Sequence, residues 1–448
     1  MATISLFGNL PSLELFIIAG KCPSCLIQAG PLTVLSGIQT TQYDHTNLAA
    51  NSRIDARLWG SHQHIVIPNS SPSNQAVRMG ATGAGNLCWY GGDVIGDAPP
   101  DTDWVELDNI YSILVKPDSG GNNNQIQYAK TFDHGDGISH DVQIDTNWNV
   151  CGCWIKYPRD DAIENDFLNQ GTVTDTFVDG CYNFLSSQSY GAGALSGQAN
   201  VVNVQSCLIR SQGMDHPFVS DSIPGWEGFW KWDANDGGYS HNSGPLIIVN
   251  NSIFRADSNK SEGNGAGVFL FPPPSKYLAT SGSNNFLIWL VPLAVPETVP
   301  SGWTVLSGQA GLDKWNNAVT VWKQNHPRFL ADTYAPIVSL FQPNPILGVG
   351  NTTLSGTASP LIATAEDDTG VVGVQFVLGG VDIGTEQTAP TLYNSTPVDV
   401  KKIDAFTKYR ILFDTTSKTN GPYTLQARAK DLAGNSTLSS GIGVTISN

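Results

Sequence analysis

Four carboxylates fall within seven residues of the segment Arg159-Asp160-Asp161-Ala162-Ile163-Glu164-Asn165-Asp166. Carboxylates this close repel one another unless water, a cation or a substrate lies among them. Such a group can act as general acid and base, hold a hard cation through oxygen, or close a turn by accepting backbone N–H groups. The segment follows a strand-like run, Cys153-Trp154-Ile155-Lys156-Tyr157. Strand alternation with Ile163 in the core sends Asp160, Ala162, Glu164 and Asp166 outward, and Asp161 and Asn165 inward. Carboxylates two residues apart on one strand face lie ~6.5–7 Å apart. That suits an inverting glycosidase, whose acid and base stand ~6.5–9.5 Å apart. It equally suits Ca2+, which takes roughly six to eight oxygens. Asp160, Glu164 and Asp166 are therefore candidates both for catalysis and for metal binding.

Two further segments bear on this group. His134-Gly135-Asp136-Gly137-Ile138-Ser139-His140-Asp141 places Asp136 24 residues before Asp160. Asp136 is a further metal candidate and His134 a substrate-binding candidate, against the plainer reading of a glycine-rich turn. The segment Trp226-Glu227-Gly228-Phe229-Trp230-Lys231-Trp232-Asp233 is the other. On a strand, Trp230 and Trp232 share one face, and Phe229, Lys231 and Asp233 the other. Aromatic rings beside charged groups suit sugars, whose C–H faces pack on rings while their hydroxyls take hydrogen bonds. Trp230, Trp232, Asp233 and Arg159 are thus substrate-binding candidates, the plainer reading being that both tryptophans fill the core. Lys231 is the candidate base of a lyase, provided burial lowers its pKa. No phosphate-binding loop, nucleophile elbow, dinucleotide fingerprint or zinc-protease motif occurs in the chain.

The elements that must position these residues are β-rich. Of 448 residues 46 are Gly and 26 Pro, only 14% are charged, and amphipathic helical patterns are scarce. The net charge of −16 argues against nucleic acid as a partner, since binding it needs clustered Lys and Arg. No apolar run is long enough for membrane insertion, and Leu13 to Ala19, interrupted by Glu14, makes no convincing leader. The chain is therefore expected to be soluble and either leaderless, supplied without its leader, or carried outside on a particle. Seven cysteines leave at least one without a partner inside the chain. Cys153, Cys181 and Cys207 sit at strand positions and read as buried core thiols.

The pattern Val150-Cys151-Gly152-Cys153-Trp154-Ile155 recurs at Val173–Val178, Val204–Ile209 and Val249–Phe254. The first two copies are 23 residues apart, the signature of stacked coils with loops inserted between later ones. If coils stack, Asp136 comes to lie near the Asp160 segment. A helix-compatible stretch, Trp315 to Leu330, precedes a boundary at Thr333-Tyr334-Ala335-Pro336. Beyond it short alternating strands suggest a β-sandwich without cysteines.

With Gly171-Thr172-Val173, Phe177-Val178-Asp179-Gly180-Cys181 and Gly228-Phe229-Trp230-Lys231-Trp232-Asp233, the acidic segment resembles right-handed parallel β-helix proteins of the polysaccharide-lyase or tailspike kind. The pieces Ala363-Thr364-Ala365-Glu366-Asp367, Gly370–Phe376 and Tyr423–Asn435 resemble bacterial immunoglobulin-like domains. Together they imply an all-β chain: an N-terminal segment or cap over 1–50, a right-handed parallel β-helix over 51–332 and an immunoglobulin-like β-sandwich over 335–448. Two functions follow from the resemblance. One is an extracellular or particle-surface protein that recognises, and in its enzymatic form cleaves, a polysaccharide or cell-surface glycan. It would act as a Ca2+-assisted lyase or a glycoside hydrolase. The other is a non-enzymatic structural or adhesive component of a cell surface or phage virion, working as a homo-oligomer or particle-bound assembly.

Overall fold

The computed structural model describes residues 22–39, 41–62, 74–81, 85–96, 107, 110–115, 122–140, 147–187, 197–212, 228–232, 244–257, 268–272, 276–278, 284–290, 294–295, 297–330, 335–343, 345, 350–367, 371–388, 408–431 and 433–448. These residues are nearly all β, in long parallel sheets, with an 18-residue α-helix at Gly308–Asn325.

The valine repeat is a ladder. Val150 pairs with Val173, Val173 with Val204, and Val204 with Val249, all in parallel. Parallel neighbours require a crossover, and here the crossover consists of further strands. Trp148–Cys151 is followed by Trp154–Lys156 and Asp161–Glu164. The next unit, Gly171–Thr174, Phe177–Cys181 and Asn183–Ser187, pairs with it strand for strand. Val201–Gln205, Leu208–Ser211 and Gly228–Trp232 repeat the arrangement. The long strand Arg53–His62 joins two of the three faces into a sixteen-stranded sheet, and the third face is an eight-stranded sheet. Leu32–Gln39 and Tyr43–Leu48 already pair in parallel with this stack, so the N-terminal stretch contributes strands to it.

Asparagines hold one line of corners. Asn51, Asn86, Asn123 and Asn147 all have positive φ, a conformation asparagine tolerates better than most residues. Asn86 Nδ2 donates to Asn51 Oδ1 and Asn123 Nδ2 to Asn86 Oδ1, each at 2.9 Å. Inward-facing residues of the strands fill one continuous core that includes Ile155, Val178, Ile209 and Phe254. Cys153, Cys181 and Cys207 are buried in that core as free thiols, and burial pushes the first and last up to about 12. The other four cysteines form disulfides, Cys22–Cys151 and Cys25–Cys88, which tie the start of the described chain onto the stack.

Outward-facing apolar side chains on the second face, Trp154, Phe177, Leu208, Ile253 and Ile288, form a separate cluster. The helix covers them with Trp315 and Trp322, and Trp322 Nε1 donates to the Asp175 carbonyl at 3.0 Å. The sequence placed a helix over Trp315–Leu330. It begins about two turns earlier, at Gly308, and ends before Pro327, which lacks the N–H to continue it; a 3-10 turn spans Pro327–Leu330. Beyond it, a three-stranded sheet (Ile337–Gln342, Ser359–Glu366, Lys408–Phe413) and a six-stranded one share a second core, from Val338 to Ile446.

Candidate functional site

Strand alternation fails at the acidic segment. Ala162 and Ile163 are both fully buried members of the hydrophobic core. So are Phe184 and Leu185 on the next strand, and Phe229 and Trp230 on the one after. The register omits the first residue of each pair: Asp161↔Asn183 then Ile163↔Leu185, and Asn183↔Gly228 then Leu185↔Trp230. Two adjacent core side chains mean that each strand turns a corner there, so the residues flanking the pair leave the core together. Ala162, expected outside, therefore lies in the core. Asp161, expected inside, joins the polar group.

That group is built on close contact between coils. A Cβ on Gly137 would stand 2.5 Å from the Ala162 carbonyl oxygen and 2.7 Å from Ile155 Cγ2. Only glycine lets the two coils approach this far. In consequence Asp136 Oδ1 accepts the Asp161 N–H at 2.9 Å, and the Asp160 N–H donates to the Gly135 carbonyl at 2.8 Å. One oxygen each of Asp136, Asp160 and Asp161 then lies within 4.8 Å of the others, and none of the three residues is more than 1% exposed. Asn183 Nδ2 donates to Asp161 Oδ1 at 2.8 Å. Lys231 Nζ reaches over from two strands away, 3.3 Å from Asp161 Oδ2 and 3.7 Å from Asp160 Oδ1. Burial by itself would lower the Lys231 pKa. The Asp160, Asp161 and Asp166 carboxylates outweigh it and hold the ammonium well above the ordinary lysine value.

The remaining candidates are placed differently. Glu164 lies on the other flank of the corner, where its Oε2 accepts the Ser139 hydroxyl at 2.6 Å. Asp166 sits half-buried in the turn after the strand and contributes to the field on Lys231. The three-carboxylate group contains neither of them; it contains Asp161 instead. Asn165 is buried as expected, bonding across its own turn to Asn169 and across to Ser187. Arg159 is 8% exposed, with Nε 3.4 Å from Asp133 Oδ1. His134 is 1% exposed; burial, aided by Arg159, holds its imidazole neutral down to about 3.

Three expectations are corrected by these positions. Lys231 is a firmly protonated ammonium, so the lowered pKa required of a lyase base is absent. Trp230 and Trp232 offer no surface to a sugar: both are core residues, Trp230 edge-to-face with Phe184 and Trp232 Nε1 donating to the Pro245 carbonyl. His134 is enclosed in the fold rather than presented to a ligand. Asp233 lies outside the described residues.

The sequence reasoning missed Asp161 and Asn183, although a signal exists. Asp136-Gly137-Ile138-Ser139, Asp161-Ala162-Ile163-Glu164, Asn183-Phe184-Leu185-Ser186 and Gly228-Phe229-Trp230-Lys231 align as one four-residue corner with two apolar or small residues in the middle. Chemically the corner gathers carboxylate oxygens beside the Lys231 ammonium. Its three carboxylates and the Asn183 amide suit a hard cation such as Ca2+, and without Cys or His in the group it does not suit zinc. The Asn183 side-chain carbonyl is fully buried without a hydrogen-bond partner, while Nδ2 is the atom presented to Asp161.

No family model matches the chain, and no curated protein matches it. Among solved structures, fibronectin(III)-like modules of Clostridium thermocellum CbhA align at 19% identity with a TM-score of 0.16, covering 25% of this chain and 46% of that one. An engineered protein aligns at 10% identity and a TM-score of 0.16, covering 55% of this chain and 49% of its own. The chain thus spans about half the length of each of these structures. No helix among the described residues is long and apolar enough to cross a membrane.

Proposed function

We propose that residues 51–332 form a right-handed parallel β-helix and residues 335–448 an immunoglobulin-like β-sandwich, in an extracellular or particle-surface protein that recognises an acidic polysaccharide through a divalent cation, Ca2+, at its acidic corner. The observation carrying this reading is the convergence of Asp136, Asp160 and Asp161 within 4.8 Å, beside the Lys231 ammonium. Carboxylates gathered this closely offer a divalent cation the oxygen ligands it prefers. A cation held by carboxylates retains sites for oxygens of a uronate or similar ligand. Two disulfides support a location outside the reducing cytoplasm.

Binding is favoured over turnover by a lyase, because the protonated Lys231 does not supply a base. The burial of all three carboxylates favours a second reading, in which the cation braces adjacent coils of a structural or adhesive component of a cell surface or virion.

Calorimetric titration of Ca2+ into the protein and into Asp136→Asn, Asp160→Asn and Asp161→Asn tests the site. A panel of acidic polysaccharides, with and without chelator, tests recognition. The reading expects saturable Ca2+ binding that each substitution weakens, and glycan retention that chelator abolishes. Ca2+ binding unchanged in all three variants would refute it. Ca2+ binding without glycan retention, with the chain found in purified particles, would leave the structural role.

A further inference from the structure

We propose that the first coil of the stack is a self-association surface, on which a second copy of this chain docks end to end about a two-fold axis. The strand Leu32–Gln39 carries the contact.

Among the described residues this strand pairs with Arg53–His62 and with no other strand. Its second edge leaves backbone N–H and C=O groups open to a further strand. Proteins usually blunt such an edge with charge or proline. The eight residues LTVLSGIQ carry neither. Leu32, Val34 and Ile38 are instead 51%, 61% and 66% exposed, and Leu58, opposite Ser36, is 75% exposed. Leu35 packs against the core but is only half-buried, so the end of the core is open too.

Charge and symmetry point to a second copy as the occupant. The chain carries a net charge of −16, yet this edge is neutral. On the neighbouring strand Asp55 and Arg57 pair at 2.7 Å, and Arg53 is turned onto the Leu26 and Gly30 carbonyls. Two copies therefore meet here without the repulsion that their acidic surfaces impose elsewhere. The strand is also self-complementary. It bends at Leu35 from one face of the stack to the next: Leu32–Val34 lie against Arg53–Asp55, and Ser36–Gln39 against Leu58–Ser61. The first half continues into Cys88–Tyr90 and the second into Asp93–Ile95. A two-fold axis through that corner lays Leu32–Val34 of one copy antiparallel to Ser36–Ile38 of the other. Leu32 then faces Ile38, Leu35 meets its own counterpart, and the open ends of the two cores close on each other. The start of the described chain lies elsewhere. Cys22 is bridged to Cys151, four strands or about 19 Å along the stack from Leu32–Gln39.

Sedimentation analysis of the full chain across the micromolar range tests the proposal, with Val34→Lys and Leu35→Cys as variants. The wild type is expected to be a dimer. Val34→Lys sets two like charges beside the axis and should weaken association roughly tenfold or more. Val34 is largely exposed, so the circular dichroism of this variant should match the wild type. Leu35→Cys should give a covalent dimer under mild oxidation, because residues opposed across antiparallel strands stand ~4.5–5.5 Å apart, within disulfide reach. The wild type, whose free cysteines are buried, is the control. A wild type that stays monomeric would overturn the proposal. Dimerisation only after removal of residues 1–21 would overturn it too, by showing that the chain's own N-terminal residues cover the edge. A dimer that Val34→Lys leaves intact and Leu35→Cys does not cross-link lies on another surface and equally refutes it. If Leu35→Cys does not fold, the effect of Val34→Lys decides.

Discussion

Acid should unfold this protein partly through one histidine. His134 is 1% exposed and titrates at about 3 in the fold, against 6.5 for the free side chain. Its folded value is depressed, so the unfolded chain binds the extra proton and stability rises with pH. The contribution is complete above pH 6.5 and is lost as pH falls toward 3. At about 1.36 kcal/mol per pH unit, the window from 6.5 down to pH 4 removes about 3 kcal/mol, a large share of an ordinary domain's stability. Chemical denaturation at pH 7 and pH 4 measures the loss in the wild type. His134→Gln keeps a polar side chain of similar size that does not titrate, and should lose about 3 kcal/mol less over the same interval. Its stability at pH 7 is expected to be lower, because the ring packs closely against the backbone at Gly96. The decisive quantity is therefore the difference between the two pH values within each protein. Equal losses in wild type and variant would show that His134 does not titrate as a buried neutral imidazole, and would refute the reasoning.

Trp232→Ala should cost about 3–5 kcal/mol in denaturant unfolding, because the side chain fills the core; retained stability with lost glycan binding would restore it as a sugar platform. Trp322→Ala removes the residue that seats the helix and bonds the Asp175 carbonyl, and should cost a similar ~3–5 kcal/mol while leaving the parallel-sheet circular dichroism intact. Reduction of Cys22–Cys151 and Cys25–Cys88 should lower the melting temperature, each bond contributing roughly 2–5 kcal/mol, and an unchanged melting temperature would place the staples outside the cooperative unit. Lys231 has a raised folded pKa, so its stabilisation of the acidic corner is complete below about pH 10 and lost only as pH climbs through that raised value. The melting-temperature gap between wild type and Lys231→Met in metal-free buffer should stay constant from pH 7 to 10 and close above it.

The valine repeat could be read along the chain because stacked coils impose one residue pattern on each strand. Val150, Val173, Val204 and Val249 recur in sequence and pair in space for the same reason. The β composition, the core cysteines and the neighbourhood of Asp136 and Asp160 follow from that repetition. The disulfide pairing did not, since Cys22 and Cys151 are 129 residues apart and only the closure of the stack brings them together. The roles within the acidic segment depended on tertiary structure too. A period of two assumes a straight strand, but this one bends around the core at Ala162 and Ile163. The bend sends Asp161 to the polar side and seals Trp230 inside. The charge state of Lys231 depends on carboxylates about seventy residues earlier in the chain, a distance at which no local pattern indicates whether burial or attraction prevails.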